Sequence, residues 1–296
     1  MAGADARERR WAGRLYRVTA FAPNRRHYLM CRPSYYTVSY EINPWMDLSV
    51  PVDTPRAVAQ WERLRDVYLD LGHRVEEIEP EPGLPDMVYA ANGATVVDGI
   101  AYEAQFRYPE RAAEGPAYLK WFADNGYLTK RAEHVNEGEG DLLTCGSRVL
   151  AGYGPRTDVA AHAEAAQLWG REVVSLELVD PRFYHLDTAL TVLRGNDGTT
   201  PDDDVDVAYL PSAFSPEAQE RLRTLFPDAL VATEEDAAVL GLNAVSDGEH
   251  VVHAPAATHF AGALRERGYE PIAVDTSELL RGGGGAKCCT LEVRRA

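Results

Sequence analysis

The sequence of 296 residues lacks the features of several protein classes. No apolar run approaches the roughly 20 residues that a membrane-spanning helix needs. The opening MAGADARERRWAGR also has no apolar core of the kind found in signal peptides, so we expect a cytoplasmic protein that does not bind a membrane. Positive charge is scarce too. With a net charge of −16, a nucleic acid is not an expected partner, whereas a cationic substrate would be attracted.

Cysteine is rare, and the four present are Cys31, Cys145, Cys288 and Cys289. Their spacing matches no zinc-binding pattern, and a reducing compartment disfavours disulfides. The last two follow four glycines in RGGGGAKCCTLEV, where they are either buried small hydrophobes or include a nucleophile. Glycines let the backbone approach a ligand closely, and the neighbouring Lys287 favours a thiolate. Strand alternation would place the two thiols on opposite faces.

What the sequence does contain is a recurring unit of hairpin, helix and strand. Hairpins with turn-forming residues are predicted over residues 93–106, 140–154, 187–211 and 243–255. Amphipathic helices, each followed by a short extended segment, are predicted over residues 54–73, 157–170, 215–227 and 257–269.

About five such units fit the chain, and repeats of this length indicate a radial arrangement. We therefore predict the α/β class, as a five-bladed pseudo-symmetric propeller. Its final strand, CCTLEVRR, would complete the first blade and leave no open sheet edge at the seam. The alternative is an ordinary mixed α/β sandwich. We expect residues 1–25 to form a poorly ordered arm and residues 26–296 to form a single domain.

Polar residues flanked by glycine cluster at the predicted strand ends. In FYHLDTAL, His185 and Asp187 would share one face of a strand, which suits general acid–base chemistry. In NEGEGDLL, the acidic residues Glu137, Glu139 and Asp141 alternate with glycine. Clustered carboxylates raise one another's pKa and can recognise a guanidinium. The alternatives are a solvent-exposed strand end and a solvated acidic turn.

A third stretch, PDMVYAANG, contains Asp86 after a proline and Asn92 before a glycine. Simple turn chemistry is the alternative explanation for this asparagine. No single stretch decides the function. Together, a cysteine, a histidine and several carboxylates at hairpin ends in a ring predict covalent attack on a cationic carbon.

These stretches, with MCRPSYYTVSYEINPWM, LAGYGPRTD, LNAV and GGAKCCTLEV, resemble the guanidino-group-modifying superfamily. That superfamily comprises arginine deiminases, dimethylarginine dimethylaminohydrolases and glycine amidinotransferases. The resemblance runs from about Tyr28 to the C-terminus and is closest to the arginine dihydrolase branch. It implies a five-bladed α/β propeller, the pentein fold, with a central active-site cavity and no metal or organic cofactor.

The resemblance also implies catalytic roles for individual residues. Cys288 matches the nucleophile, and His185 matches the general acid–base. Glu137 matches the catalytic carboxylate, although the commoner family motif is one residue shorter and leaves Glu139 as the alternative. Asp187 matches a carboxylate that grips the guanidinium.

The other substrate-binding residues that we predict are Asn92, Asn43, Arg156, Asp86 and Asp141. Arg156 matches an arginine that can hold a substrate carboxylate. Asn92 stands where deiminases and methylarginine hydrolases usually have aspartate and the dihydrolase branch has asparagine. The family's second carboxylate-binding arginine is replaced by Gln105, with Arg107 two residues away.

The implied reaction is arginine dihydrolysis to ornithine, carbon dioxide and two molecules of ammonia through an S-alkylthiouronium on Cys288. A deiminase or methylarginine hydrolase that stops at citrulline is the alternative, followed by an amidinotransferase. A non-enzymatic propeller that binds basic ligands would require an inert thiol. The expected partner is a small cationic guanidino compound, arginine or methylated arginine, and the sequence is compatible with a homo-oligomer.

Overall fold

The computed structural model describes residues 7–11, 14–18 and 25–294. Its strands are β1 (Arg7–Trp11), β2 (Arg14–Val18), β3 (His27–Cys31), β4 (Arg74–Ile78), β5 (Ala94–Val97), β6 (Ile100–Glu103), β7 (Leu128–Lys130), β8 (Leu142–Cys145), β9 (Arg148–Tyr153), β10 (Val173–Glu177), β11 (Leu190–Arg194), β12 (Asp206–Tyr209), β13 (Leu230–Val231), β14 (Val245–Ser246), β15 (His250–His253), β16 (Glu270–Ala273) and β17 (Leu291–Glu292). Its α-helices are α1 (Thr54–Asp70), α2 (Glu114–Asp124), α3 (Val159–Trp169), α4 (Leu186–Ala189), α5 (Pro216–Leu225), α6 (Glu234–Ala237), α7 (Thr258–Glu266) and α8 (Ser277–Leu280).

Five three-stranded sheets share one topology, and we call them blades 1 to 5. In order they are β17–β3–β4, β5–β6–β7, β8–β9–β10, β11–β12–β13 and β14–β15–β16. In each blade the first two strands are antiparallel and the last two are parallel. A parallel pair needs a crossover connection, which a helix supplies in every blade. The predicted repeat and its five blades are therefore confirmed.

The first strand of each blade lies innermost. β11 lies against both β8 and β14, and β17 lies against β5. Blade 1 joins the two ends of the described chain, because Leu291 of β17 pairs with Leu29 of β3. The last strand thus completes the first blade, as predicted, and no unpaired edge remains at the seam.

The helix α1 shows why amphipathic periodicity predicts the crossover helices. Trp61 and Leu64 recur on one helical face and are buried with side chains of β3. The N-cap is Asp53, whose side chain accepts a hydrogen bond from the backbone N–H of Arg56. Thr54 is the first helical residue. None of the helices in the described ranges is both long and apolar enough to cross a membrane.

The helix α2 is not predicted from the sequence, because Gly115 and Pro116 in its first turn are typical of a loop. The structure explains both residues. A Cβ on Gly115 would lie 2.1 Å from the carbonyl oxygen of Ala104, so only glycine fits there. Proline is tolerated in a first helical turn, where its missing N–H would have no intrahelical partner.

The predicted arm over residues 1–25 falls largely outside the described residues. Within it, β1 and β2 pair as an antiparallel hairpin.

Candidate active site

The segments that enter the five innermost strands bring polar residues together. These residues are Asn92 before β5, Glu137 before β8, His185 and Asp187 before β11, Asn243 before β14 and Cys288 before β17. All of them are buried. The sequence predicted that His185 and Asp187 share one face of a strand, and this is wrong. His185 is instead the N-cap of the short helix α4, and Asp187 lies inside that helix.

His185 and Glu137 form a buried hydrogen-bonded pair. His185 Nε2 lies 2.7 Å from Glu137 Oε2, and the same oxygen accepts a hydrogen bond from Arg156 Nη1 at 2.8 Å. Burial alone would raise the pKa of Glu137, but Arg156 and His185 together hold it well below its usual range. His185 Nδ1 is buried and has no hydrogen-bond partner among residues 25–294. That nitrogen is available to exchange a proton with a bound molecule.

Arg156 is enclosed, with 2% of its surface exposed. Its Nη2 donates to the carbonyl oxygen of Ile42 at 2.8 Å, and its guanidinium lies 4.7 Å from the ring centroids of both Tyr108 and Tyr184. Its charge therefore compensates Glu137 and is stabilised by two aromatic faces. Its predicted role of holding a substrate carboxylate stays a prediction.

Cys288 lies beside Asp187 and Asn243. Its Sγ is 3.4 Å from Asp187 Oδ2 and 3.1 Å from Asn243 Nδ2. Burial, reinforced by the Asp187 carboxylate, raises the pKa of the Cys288 thiol well above its usual value. Burial also raises the pKa of Asp187, to about 7. A thiol and a carboxyl group that both favour their protonated forms are poised to gain from a nearby cation.

The strand alternation predicted for the two cysteines is wrong, because residues 286–289 form a turn that ends before β17. The ammonium of Lys287 is engaged elsewhere. It donates to Glu139 Oε2 at 2.9 Å and to the carbonyl oxygen of Thr290 at 3.0 Å. Glu139 also pairs with Arg294, so neither Lys287 nor Glu139 is bonded to the cysteine or the histidine.

A second buried arginine, which the sequence analysis missed, lies at the site. Arg111 donates two hydrogen bonds to Glu114, at 3.0 and 2.7 Å, and one to Asn92 Oδ1 at 3.1 Å. Its Nε is 3.9 Å from Asp86 Oδ2, which also accepts from Tyr40 at 2.9 Å. The site therefore contains a second buried arginine, although Gln105 occupies the position at which the resemblance implies one. The signal available in the sequence was an arginine six residues beyond the expected position.

Two other predicted substrate-binding residues have clear structural contacts. Asp141 accepts hydrogen bonds from the Thr157 hydroxyl at 2.6 Å and from the backbone N–H of Leu186 at 2.9 Å. Burial raises the pKa of Asp141 to about 6. Asn43 donates to the carbonyl oxygen of Gly282 at 3.0 Å. Asp141 thus holds the segment that carries His185.

The segment over residues 32–53, which has no helix or strand, closes the site. Asn43 binds the glycine-rich segment, Ile42 binds Arg156, and Tyr40 binds Asp86. These contacts tie the segment to residues around the buried thiol of Cys288. A separate cavity lies beyond Glu139, lined by residues that include Tyr28, Thr144, Ser246 and Arg294 but neither Cys288 nor His185.

The glycine run packs tightly against residues 32–53 and against neighbouring tyrosines. Gly283 has a φ of +96°, and a Cβ there would lie 2.5 Å from the Tyr184 hydroxyl. A Cβ on Gly284 would lie 2.4 Å from the Tyr89 ring.

Among residues 25–294, no group of three or more His, Cys, Asp or Glu side chains is arranged to hold a metal ion.

Comparison with known proteins agrees with this geometry, although no protein-family model matches the chain. The N(G),N(G)-dimethylarginine dimethylaminohydrolase of Mycobacterium tuberculosis is 57% identical over 282 residues, which are 95% of this chain and 90% of the relative. The bifunctional arginine dihydrolase/ornithine cyclodeaminase ArgZ of Synechocystis sp. is 33% identical over 90% of this chain. The matched part is 37% of that longer protein.

Solved structures show the same fold. The N-terminal domain of ArgZ, a cysteine-to-serine variant bound to substrate, superposes with a TM-score of 0.85 at 32% identity, covering 91% of this chain and 98% of that domain. A dimethylarginine dimethylaminohydrolase adduct superposes with a TM-score of 0.70 at 18% identity, over 91% of this chain and 100% of that one, and supports the fold alone. The chain belongs to the guanidino-group-modifying superfamily, as an enzyme that hydrolyses carbon–nitrogen bonds of guanidino groups.

Proposed function

We propose that the protein hydrolyses N-methylated arginine to citrulline and a methylamine, with Cys288 as nucleophile. The observation that carries this choice is the 57% identity, over 95% of the chain, to a dimethylarginine dimethylaminohydrolase. This reaction was an alternative in the sequence analysis, and the relative at this identity favours it over arginine dihydrolysis. The arrangement of Cys288, Asp187, His185 and Glu137 supplies the chemistry.

Substrate binding and thiol ionisation are coupled in this proposal. At rest the Cys288 thiol donates to Asp187, since burial and the nearby carboxylate disfavour the thiolate. A guanidinium placed against Asp187 brings a positive charge that stabilises both the carboxylate and a thiolate. The substrate itself thereby favours the nucleophilic thiolate, and the proton that the thiol gives up passes to His185. The segment over residues 32–53 keeps water away until the cation has bound.

Two rounds of addition and elimination complete the reaction. The Cys288 thiolate attacks the guanidinium carbon, and the C–N bond to the methylated nitrogen breaks as that nitrogen takes a proton from His185. Glu137, held ionised by Arg156, stabilises the protonated ring before this step. Water then attacks the thiouronium carbon and gives its proton to His185. The C–S bond breaks, its electron pair returns to sulfur, and the hydroxyl proton of the intermediate passes to that thiolate as citrulline leaves. His185 then releases its extra proton to solvent.

A second candidate is arginine dihydrolysis, which the geometry of Asn92 favours. Arg111 can only donate, so the Asn92 atom that it contacts at 3.1 Å must be the amide oxygen. Asn92 Nδ2 lies 3.4 Å from the carbonyl oxygen of Glu137, on the side of the catalytic pair. An uncharged N–H donor suits the oxygen of a neutral ureido group better than a guanidinium, which has no acceptor. Retained citrulline could then be attacked a second time to give ornithine, carbon dioxide and ammonia.

The products decide between these reactions. Purified protein should be incubated separately with asymmetric dimethylarginine, monomethylarginine and arginine, and citrulline, ornithine, dimethylamine and ammonia should be quantified. We expect citrulline and dimethylamine in equal amounts from dimethylarginine, and no product from Cys288→Ser. Ornithine and two equivalents of ammonia from arginine, with no turnover of methylated substrates, would replace this proposal by the second candidate. Ornithine that forms only when an acceptor amine is added would indicate an amidinotransferase.

A further inference from the structure

Blade 5 supplies one buried polar residue to the site, Asn243, which is 1% exposed and lies just before β14. Its Oδ1 accepts hydrogen bonds from the backbone N–H groups of Gly285 at 2.9 Å and Cys288 at 3.1 Å. Its Nδ2 lies 3.1 Å from both Cys288 Sγ and the carbonyl oxygen of Asp187. The backbone oxygen of Asn243 also accepts from the N–H of Lys287 at 3.2 Å. One asparagine therefore contacts the cysteine turn at four points.

These contacts fix the orientation of the Asn243 amide. Backbone N–H groups can only donate, so the atom facing Gly285 N and Cys288 N must be the amide oxygen. The amide nitrogen consequently faces the sulfur and the Asp187 carbonyl oxygen, both of which can accept. A flipped amide would oppose donor to donor at two positions and acceptor to acceptor at another. Asn243 can therefore offer the Cys288 sulfur only an N–H donor.

The sulfur needs such a donor. Its surroundings are buried, and the nearest carboxylate oxygen, Asp187 Oδ2, is 3.4 Å away, so both burial and charge act against the thiolate. Within the part of the chain that the structure describes, Asn243 is the one side chain that donates a hydrogen bond to Cys288 Sγ. A hydrogen bond to a charged acceptor is stronger than one to a neutral acceptor, so it favours the thiolate over the thiol.

We propose that Asn243 is a catalytic residue, which donates a hydrogen bond to the Cys288 thiolate before attack and again when the sulfur leaves. The proposal rests on the function proposed above, since it takes Cys288 as the nucleophile. When the C–S bond forms, the sulfur loses its charge and this hydrogen bond weakens. When the C–S bond breaks, the electron pair returns to sulfur and the same N–H stabilises it. Asn243 therefore raises the fraction of Cys288 that is present as thiolate before attack, and it lowers the barrier of the step in which the sulfur leaves.

The test removes the donor in two ways, once with an added negative charge and once without. In Asn243→Asp, one carboxylate oxygen can still accept from Gly285 and Cys288, while the N–H facing the sulfur becomes an acceptor. The matched control is Asn196→Asp, at a half-buried asparagine whose Nδ2 donates to the Ser246 carbonyl oxygen at 2.8 Å and does not contact the cysteine. Iodoacetamide alkylation of Cys288 is followed by peptide mass spectrometry across a range of pH, together with kcat, KM and Tm.

In Asn243→Asp we expect iodoacetamide to alkylate Cys288 at least about tenfold more slowly near neutral pH than in wild type. The dependence of the alkylation rate on pH should shift to higher pH. We expect kcat to fall by at least a similar factor and KM to change little, whereas Asn196→Asp keeps the wild-type alkylation profile. A wild-type profile in Asn243→Asp, with only a Tm loss like that of the control, would overturn the proposal. Asn243→Ala, which removes the donor without adding a charge, is measured in parallel under the same criteria, and it replaces the aspartate variant if that variant does not fold. Alkylation needs no turnover, so this result and the product assay of the proposed function fail independently.

Discussion

Glu137 and Glu139 are two residues apart and equally buried, but they contact different cationic groups. Glu137 shares one oxygen between His185 Nε2 at 2.7 Å and Arg156 at 2.8 Å. Glu139 instead contacts Lys287 at 2.9 Å and also pairs with Arg294. In both cases burial acts to raise the pKa and the neighbouring cations lower it. In the sequence, Glu139 remains an alternative to Glu137 as the catalytic carboxylate. Only their contacts in the structure distinguish them.

The difference teaches how one acidic stretch can serve two purposes. One of the groups that the Glu137 carboxylate contacts is a histidine, which can carry a proton to and from a substrate. The charge of Glu137 can therefore act on the chemistry. The two cations at Glu139 are Lys287 and Arg294, and both belong to the C-terminal segment. The charge of Glu139 therefore holds that segment against blade 3. We therefore propose Glu137 as the catalytic carboxylate, and the following substitutions test that proposal.

The largest effect is expected for Glu137→Gln. The substitution keeps a hydrogen-bond acceptor but removes the charge that stabilises protonated His185, so kcat should fall by about 10²–10⁴-fold. Steady-state kinetics on the substrate identified by product analysis measures this loss. A kcat within about threefold of wild type would place the catalytic carboxylate elsewhere.

Glu139→Gln should mainly reduce stability. It leaves Lys287 with an uncharged partner and Arg294 with Glu292 as its remaining carboxylate, which should lower the free energy of unfolding by about 3–5 kcal/mol. Urea unfolding at neutral pH measures this change, and kcat of the remaining folded protein should stay within about tenfold of wild type. A fall in kcat as large as that of Glu137→Gln would erase the distinction between the two glutamates.

Asp187 extends the comparison to a buried carboxylate without a cationic hydrogen-bond partner among residues 25–294. Its pKa is raised from 3.8 to about 7, so its contribution to stability is fully present below the unfolded value and is lost as pH rises through about 7. Asp187→Asn removes that loss, and should be more stable than wild type near pH 8 by on the order of 2 kcal/mol, while losing turnover. Urea unfolding near pH 5 and pH 8 provides the measurement. A difference in stability that does not change with pH would contradict the burial argument.

The adjacent cysteines repeat the contrast on a smaller scale. Cys288 reaches Asp187 and Asn243, whereas Cys289 has no side-chain hydrogen bond within the described ranges and is buried in an apolar cluster. Cys289→Ala should cost about 1 kcal/mol of stability and leave kcat unchanged. Thermal unfolding and steady-state kinetics together check this. Loss of turnover without loss of stability would indicate that Cys289, rather than Cys288, is the nucleophile.

The sequence predicted the architecture well because local turns encode it. The Asp98–Gly99 turn has both φ values positive, 51° and 76°, which is the conformation that this dipeptide favours between two strands. The prediction failed for α2, where Gly115 is required by a neighbouring carbonyl group that the sequence does not reveal. Tertiary contact, rather than local preference, decides that segment.

The site was only partly readable from the sequence, for a similar reason. Residue types and motifs suggested Cys288, His185 and the carboxylates. Arg111 and Asn243 gained roles only once folding had placed them beside Asn92 and Cys288. A cytoplasmic location and a homo-oligomer stay predictions.

The most direct test of Cys288 as the nucleophile is mass spectrometry of protein quenched in acid during turnover of dimethylarginine. We expect a mass increase of a covalent thiouronium on the peptide that contains Cys288, and neither adduct nor product with Cys288→Ser. Turnover by Cys288→Ser at the wild-type rate, or an adduct on another residue, would contradict this mechanism.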